Sequence, residues 1–420
     1  MTRMTMATAV SFGARVAEAH RAGVLVVQPR MGFADPARMR AGLLATRDAD
    51  AETVGTLTVD SYTRLGDLAA ARRALENGEP LNGYPIATHG PATTRAVLAD
   101  LVDQGFPVQV RHGSPAPGAI IDAMLEAGLT ATEGGPVSYC LPYGRTPLAE
   151  AVEHWRRAAD RLAALQDQGA EPHLETFGGC MLGQLCPPGL LVALSVLEGM
   201  FFAQRGLRSV SLSYAQQTCP AQDLEAVAAL RRLAAEELPG IDWHVVVYTY
   251  MGLYPRTPRG ASAVLAEAAR LAVRGGAARL IVKTEAEGSR IPTIAENVAA
   301  LEAAARAARR ATPGAEPEDT GLYEEARRLV DAVRELADDV GTALVRAFRR
   351  HILDVPYCLH PDNPRRSAAA IGADGRLHWT AVGGMPINPA PAARVEPLTA
   401  SSLLHALSYM RRVYDGIDVS

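Results

Sequence analysis

The sequence predicts an α/β chain, a TIM-type (β/α)8 barrel followed by a smaller C-terminal α+β extension, and three observations predict it. From Gly23 to about Arg310, short β-branched runs alternate with longer Ala/Leu/Arg-rich stretches of helical period, the pattern of repeated βα units. About eight such units follow one another, the number that closes a barrel, with a doubly wound open sheet as the lesser alternative. The strand candidates also end in polar or charged residues (Gln28-Pro29-Arg30, Asp60, His89, Arg111-His112, Glu175, Lys283), as they do on the active-site rim of a barrel.

Taken in order, Val24–Gln28 is the first strand candidate, and Thr56–Val59 leads into a helix over Leu65–Asn77. Pro85–Thr88 precedes a helix over Thr93–Gln104, and Val108–Arg111 stands before the long helical stretch Leu148–Leu165. His173–Phe177 is followed by Leu190–Gln204, Val210–Leu212 by Gln222–Glu237, Val245–Tyr248 by Ala261–Arg274, and Leu280–Lys283 by Ile294–Arg310. Beyond these lie a charged helical region, Pro317 to Arg350, a Pro/Gly-rich stretch from Asp354 to Pro391, and a closing helix near Ser401–Arg412. The predicted division is a barrel over residues 1–314 and an extension over 315–420.

A chain of 420 residues exceeds the roughly 250–300 at which single cores stop growing, which agrees with a large domain plus an appendage. With 48% hydrophobic and 21% charged residues the composition is that of a folded globular protein. A net charge of −4, spread along the chain, gives no footprint for nucleic acid or an anionic membrane, so a small-molecule partner is expected. No stretch reaches the roughly 18 apolar residues of a membrane span, and Met1 to His20 is basic without an apolar run, so a cytoplasmic location is expected. Five cysteines without a CxxC pair suggest reduced structural thiols, and no HExxH or other metal-ligand cluster stands out.

Three groups of residues carry chemistry. Arg30, Arg64 and Arg111 each lie at or just past the end of an early strand candidate, so a barrel would bring them to one mouth. Guanidinium forks fit carboxylates, which makes the trio a grip for a dianion; singly, each is more often a surface or ion-paired arginine. The segment Glu133-Gly134-Gly135-Pro136-Val137-Ser138-Tyr139-Cys140-Leu141-Pro142-Tyr143 joins a carboxylate, a glycine turn and two tyrosines four apart. It either holds an ammonium and a carboxylate together or is a glycine loop with two core tyrosines. In Lys283-Thr284-Glu285-Ala286-Glu287, a cation could donate to, and a carboxylate accept from, the vicinal hydroxyls of a ribose, and a plain salt bridge at the rim reads equally well.

Together these motifs resemble the epsilon (large) subunit of glutamate mutase, also called methylaspartate mutase. The resemblance is carried by Gln28-Pro29-Arg30 with Gly32, Asp60-Ser61-Tyr62-Thr63-Arg64, Leu81-Asn82-Gly83-Tyr84-Pro85 and Gln109-Val110-Arg111-His112-Gly113. It continues through Glu133-Gly134-Gly135, Ser138-Tyr139, Pro142-Tyr143, Glu175-Thr176-Phe177-Gly178, Met251-Gly252, Tyr254-Pro255, Val282-Lys283-Thr284, Glu287 and Ile291-Pro292-Thr293, in family order over about residues 23–300.

The resemblance implies a TIM-type barrel whose mouth a corrinoid caps, and an adenosylcobalamin-dependent radical rearrangement of (S)-glutamate to (2S,3S)-3-methylaspartate. It implies substrate contacts from Arg30, Arg64, Arg111, His112, Glu133, Tyr139 and Tyr143, with Glu133 also the candidate catalytic group that holds and deprotonates the substrate ammonium. It implies cofactor contacts from Gly32, Asn82, Pro142, Tyr254, Lys283, Glu287 and Ile291. The family needs a cobalt-ligating Asp-x-His-x-x-Gly loop, and the one Asp-x-His here, Asp242-Trp243-His244, runs on into Val245-Val246-Val247. A separate small sigma-type cobalamin-binding subunit is therefore expected, and the family suggests a heterotetramer built on a dimer of large subunits. Pro136, Cys140, the Ser213–Cys219 stretch and Met251 depart from the family pattern. Two other readings stay open: the same radical chemistry on another amino acid or dicarboxylate, and a non-catalytic partner of the small subunit.

Overall fold

A computed structural model describes residues 11–101, 104–142, 144–181, 185–288, 290–388 and 399–416. Eight parallel strands, β1 Val26–Pro29, β2 Gly55–Thr58, β3 Val108–Arg111, β4 Ala131–Gly134, β5 His173–Thr176, β6 Ser209–Ala215, β7 Asp242–Tyr248 and β8 Arg279–Val282, lie side by side in the order β1-β8-β7-β6-β5-β4-β3-β2. The sheet curls until β1 meets β2 through a bridge between Val27 and Thr53. The uninterrupted strand order is that of the predicted barrel; a doubly wound sheet reverses part way.

Helices α1 Phe12–Arg21, α2 Pro36–Arg47, α3 Ser61–Arg64, α4 Leu68–Glu76, α5 Ile86–Leu98, α6 Gly118–Glu126, α7 Leu148–Ala163, α8 Pro188–Gln204, α9 Pro220–Glu237, α10 Pro258–Arg274 and α11 Ile294–Arg309 accompany the strands. Because strands are covered outside by helices and inside by one another, β1, β3, β4, β5 and β8 are buried at every residue. α1 stoppers the N-terminal end, where Phe12, Val16 and Ala19 pack on Val26, Val54, Ala131 and Ala278. The extension contributes α12 Leu322–Arg334, α13 Val340–Arg349, an antiparallel hairpin of β9 Ser367–Ile371 and β10 Leu377–Val382, and the closing helices α14 Ala400–Leu407 and α15 Tyr409–Asp415. Among the described residues no helix is long and apolar enough to cross a membrane.

Three predicted elements are corrected. Pro85–Thr88 is not a strand: extended backbone ends at Tyr84, which bridges Val59, and Ile86 already begins α5. α5 kinks at Gly90 (φ 78°) ahead of Pro91, so its second half alone resembles the helix expected from Thr93, and it ends at Leu98 rather than Gln104. The missing strand is β4, Ala-Thr-Glu-Gly, whose composition has little β preference and which is held by its neighbours β3 and β5. The expected Leu65–Asn77 helix is broken at Gly66 (φ 79°), and Asp67 caps the restart by accepting from the Ala70 N–H.

Helix α8 reads apolar on nearly every side, with Glu198 its one charged residue, as a helix largely without a solvent face does. Its inner side lies against the barrel and its outer side is covered by α12 and α13, whose Leu322, Ala326, Leu329, Val330, Val333 and Leu344 join the same core.

Candidate active site

Parallel pairing decides which polar side chains meet. Gln109 and Val110 of β3 pair with Ala131 and Thr132 of β4, which sets Arg111 beside Glu133; Glu133 in turn pairs with Glu175 of β5. Two carboxylates on adjacent strands repel unless each has its own cation. Arg111 Nε donates to Glu133 Oε2 at 2.7 Å, and Arg279, rising from the start of β8, donates to Glu175 Oε2. Tyr248, the last residue of β7, lies between them: its hydroxyl is 2.7 Å from Glu133 Oε2, contacts Glu175 Oε1, and is 3.2 Å from Arg111 Nη2. Gln109 (3.1 Å) and Ser211 (3.2 Å) also donate to Glu175 Oε2, and Gln28 joins Thr56 and Gln109 at 2.8 and 2.9 Å. A hydrogen-bonded polar layer thus fills barrel positions usually held by branched aliphatics.

Every member of this group is buried. Burial works against the Arg111 charge, but Glu133 and then Tyr248, Tyr139 and Glu175 hold it protonated well above the ordinary range. Burial would raise Glu175, yet Arg279 and Arg111 bring it below the ordinary carboxylate value. The Tyr248 phenol is pushed well up by burial and stays protonated.

The loop after β4 completes the group. The Tyr139 hydroxyl donates to Glu133 Oε1. His112 is stacked on Trp155 and meets Tyr139 edge-on, with ring centroids 5.7 and 5.2 Å apart. Burial and then Arg111 push His112 down to about 3, so it is neutral. Its Nδ1 accepts from the Ser114 N–H at 3.0 Å, which leaves the proton on Nε2, a buried donor without a partner among the described residues.

Glu198 of α8 holds this loop in shape and was missed from the sequence, although a lone carboxylate in an apolar helix is a signal. It accepts from the Val137 N–H (3.2 Å), the Ser138 N–H and hydroxyl (both 2.9 Å) and the Phe177 N–H (3.2 Å). Burial pushes it up to about 7, and the loop donors pull it back only in part. The glycines are needed here: a Cβ on Gly135 would fall 2.0 Å from a Glu198 oxygen, and Gly134, at φ 136°, faces the Trp155 and Tyr139 rings. A Glu198→Ala variant, which strands several buried donors, is expected to lose about 2–4 kcal/mol of stability in urea unfolding. An unchanged midpoint would show that the loop does not depend on it.

The second cluster sits on the same rim. Arg30, past β1, donates to Glu287 Oε2 at 2.8 Å, and Lys283, past β8, lies 3.8 Å from the same oxygen. Lys283 also donates to the Tyr250 carbonyl (3.2 Å) and stands 4.7 Å over the Tyr254 ring. Burial pushes Lys283 down to about 8, with Glu287 opposing. Next to it is a cleft of about 450 Å³ lined by Arg30, Gly32, Asn82, Glu287 and Ile291 among others. Gly32 lies so close to the Thr58 carbonyl that any Cβ would sit 2.2 Å from it, and Asn82 is held by accepting from the Ser61 N–H at 2.9 Å. Tyr254 is buried, Ile291 is 47% exposed and Pro142 is half-buried. Tyr143 lies outside the described residues.

The three arginines share one end of the barrel but not one spot. Arg111 is committed to Glu133, Arg30 to Glu287, and Arg64 lies against Gly113 with its Nε buried and unpartnered among the described residues. The departure at Cys140 falls in the seam with the extension, where its thiol reaches the Thr146 carbonyl (3.1 Å) and His360 (3.8 Å) rather than the Glu133 group. Besides Glu198, the sequence reading left Tyr248 and Arg279 out of the site, and noted Glu175 as a strand end and part of a family motif without giving it a role.

Comparison with known proteins agrees with the motif order. Residues 6–396 match the model of the methylaspartate mutase E chain family. The chain is 29% identical to the glutamate mutase epsilon subunit of Desulfitobacterium hafniense, covering 90% of this chain and 81% of that one. It is 30% identical to the epsilon subunit of Yersinia enterocolitica (84% and 76% covered) and 32% to that of Halobacterium salinarum (71% and 65%). A match that runs through both rim clusters and on into the extension leaves one assignment, that the chain belongs to the methylaspartate mutase E chain family, the glutamate mutase epsilon subunits.

Proposed function

We propose that this chain is the large subunit of an adenosylcobalamin-dependent isomerase that interconverts (S)-glutamate and (2S,3S)-3-methylaspartate in the cytoplasm. A separate small subunit with an Asp-x-His-x-x-Gly loop would bring the corrinoid, in a heterotetramer built on a dimer of large subunits. The observation that carries the reading is the pairing, on one barrel rim, of a buried Arg111–Glu133–Tyr139 group with the Arg30–Glu287–Lys283 cluster.

The rim cluster fits an adenosyl ribose. Glu287 keeps one buried oxygen without a partner among the described residues, and the Lys283 ammonium is beside it. Vicinal hydroxyls would donate to the first and accept from the second. Gly32, Asn82, Pro142, Tyr254 and Ile291 would face the rest of the cofactor. When bound, adenosylcobalamin supplies the radical that abstracts and returns a substrate hydrogen.

What remains for the chain is to hold the substrate and keep water out. Arg111 and Arg64, with Arg30 at the rim, take the two carboxylates; the His112 Nε2–H and the Tyr143 hydroxyl donate to substrate oxygens, and Tyr139, whose proton lies on Glu133, contacts the substrate without donating to it. Glu133 accepts the substrate ammonium and removes a proton from it. We assign these tasks to residues 1–314 and read 315–420 as the extension that braces them.

The test combines the chain with the small Asp-x-His-x-x-Gly subunit of its own genome, adenosylcobalamin and (S)-glutamate without oxygen, and follows products by NMR. 3-Methylaspartate appearing only with both proteins is the expected result. An assembled, corrinoid-bound complex that turns over a different amino acid or diacid, and not glutamate, would sink the substrate assignment.

A further inference from the structure

The group around Tyr248 contains one hydrogen too few for its contacts. A phenol has a single proton, yet the Tyr248 oxygen faces two carboxylate oxygens, Glu133 Oε2 at 2.7 Å and Glu175 Oε1. The charged and titratable groups around it are Arg111 from β3, Glu133 from β4, Glu175 from β5 and Cys180 just after β5, with Arg279 of β8 behind Glu175. Only one carboxylate can receive the proton.

The neighbours decide which. Glu175 is fixed from behind by Arg279, Gln109 and Ser211, all on Oε2, so its Oε1 is left with Tyr248 as its one donor among the described residues. Glu133 is already supplied at both oxygens, by Tyr139 on Oε1 and Arg111 on Oε2. The phenol proton therefore belongs to Glu175, and the Tyr248 oxygen, which accepts from Arg111 Nη2 at 3.2 Å, turns its other lone pair toward Glu133 Oε2. A lone pair at that distance opposes a bare carboxylate and welcomes a protonated one.

We infer that Tyr248, oriented by Glu175, is the positioning residue that makes Glu133 a base, by accepting a hydrogen bond from the proton that Glu133 takes from the substrate ammonium. The inference rests on the mutase reading above. In the step, a substrate N–H bond breaks with its electron pair staying on nitrogen, and an O–H bond forms at Glu133 Oε2. The new O–H donates to Tyr248, whose own proton stays directed at Glu175. The ammonium becomes an amine, the carboxylate a carboxylic acid, and nothing else changes charge.

The experiment measures kcat and KM for (S)-glutamate against pH in the assembled holoenzyme, wild type beside Tyr248→Phe. Losing the acceptor is expected to lower kcat about 10- to 100-fold with KM moved less than about threefold. The acid limb of the kcat profile is expected to move down by about one pH unit, because protonated Glu133 has lost its acceptor. Should the variant fail to fold, 3,5-difluorotyrosine at position 248 keeps the shape with a poorer acceptor, and the same downward shift is expected. An unmoved limb, or a raised KM with unchanged kcat, would make Tyr248 a packing contact and overturn the inference. No glutamate turnover by the wild type would overturn the mutase reading with it, whereas an active wild type and an indifferent Tyr248→Phe overturn only the role of Tyr248.

Discussion

Arg111→Ala is expected to lower kcat/KM for the amino dicarboxylate by about 10²–10⁴-fold, one of the two largest effects of any single change in the barrel. Arg111 is buried and holds Glu133 at 2.7 Å, so its removal leaves Glu133 without its cation and, on the proposed function, deletes a fork for a substrate carboxylate. Truncating one partner of a buried, hydrogen-bonded charge pair typically costs about 2–5 kcal/mol of binding, which at about 1.4 kcal/mol per decade comes to roughly 1.5–3.5 decades. Arg111→Lys separates the two contributions: it keeps the charge and loses the fork, so it should recover folding stability and little of the activity. Steady-state rates by NMR, with circular dichroism as the folding control, make the check. Near-wild-type turnover by the alanine variant would take Arg111 out of substrate binding, and unchanged in-cell function without turnover would favour a barrel that serves as a binding partner and not as a catalyst.

Glu133→Gln tests the base itself. The amide keeps the shape and can still accept from Arg111 through its one oxygen, with its NH2 turned to the Tyr139 oxygen, but it cannot take a proton from an ammonium. A general base contributes about 10²–10⁴ to rate, and a loss in kcat of that order is expected with KM little changed. If kcat instead holds and KM rises, Glu133 is only an anchor for the ammonium. The two outcomes separate holding from deprotonation, which lie on the same carboxylate.

The architecture was legible because period and strand-end polarity survive in single segments; the strand that carries Glu133 was not. β4 has no apolar run, and its place between β3 and β5 is fixed by pairing across the barrel, a long-range fact. Pro85–Thr88 misled for the opposite reason, since extended backbone stops one residue earlier at Tyr84. Of the rim, Arg30, Lys283 and Glu287 do come together, and Arg111, Glu133 and Tyr139 do too. Arg279 could not be read as part of the site, because Glu175, its partner, is 104 residues away and a strand-initial arginine looks like any other. Tyr248 was hidden at the end of an apolar run, where a tyrosine reads as core.

The covering of α8 by α12 and α13 sets a limit on how this catalyst can be taken apart. Glu198 reaches from α8 to the loop beside Glu133, so the tail that shields the outer side of α8 also secures the backing of the site. A fragment ending near residue 314 would turn a helix of leucines, valines and phenylalanines out to water, an adhesive stripe rather than a soluble wall. For anyone grafting the rim onto another scaffold, or shortening the chain for expression, barrel and tail are one portable unit.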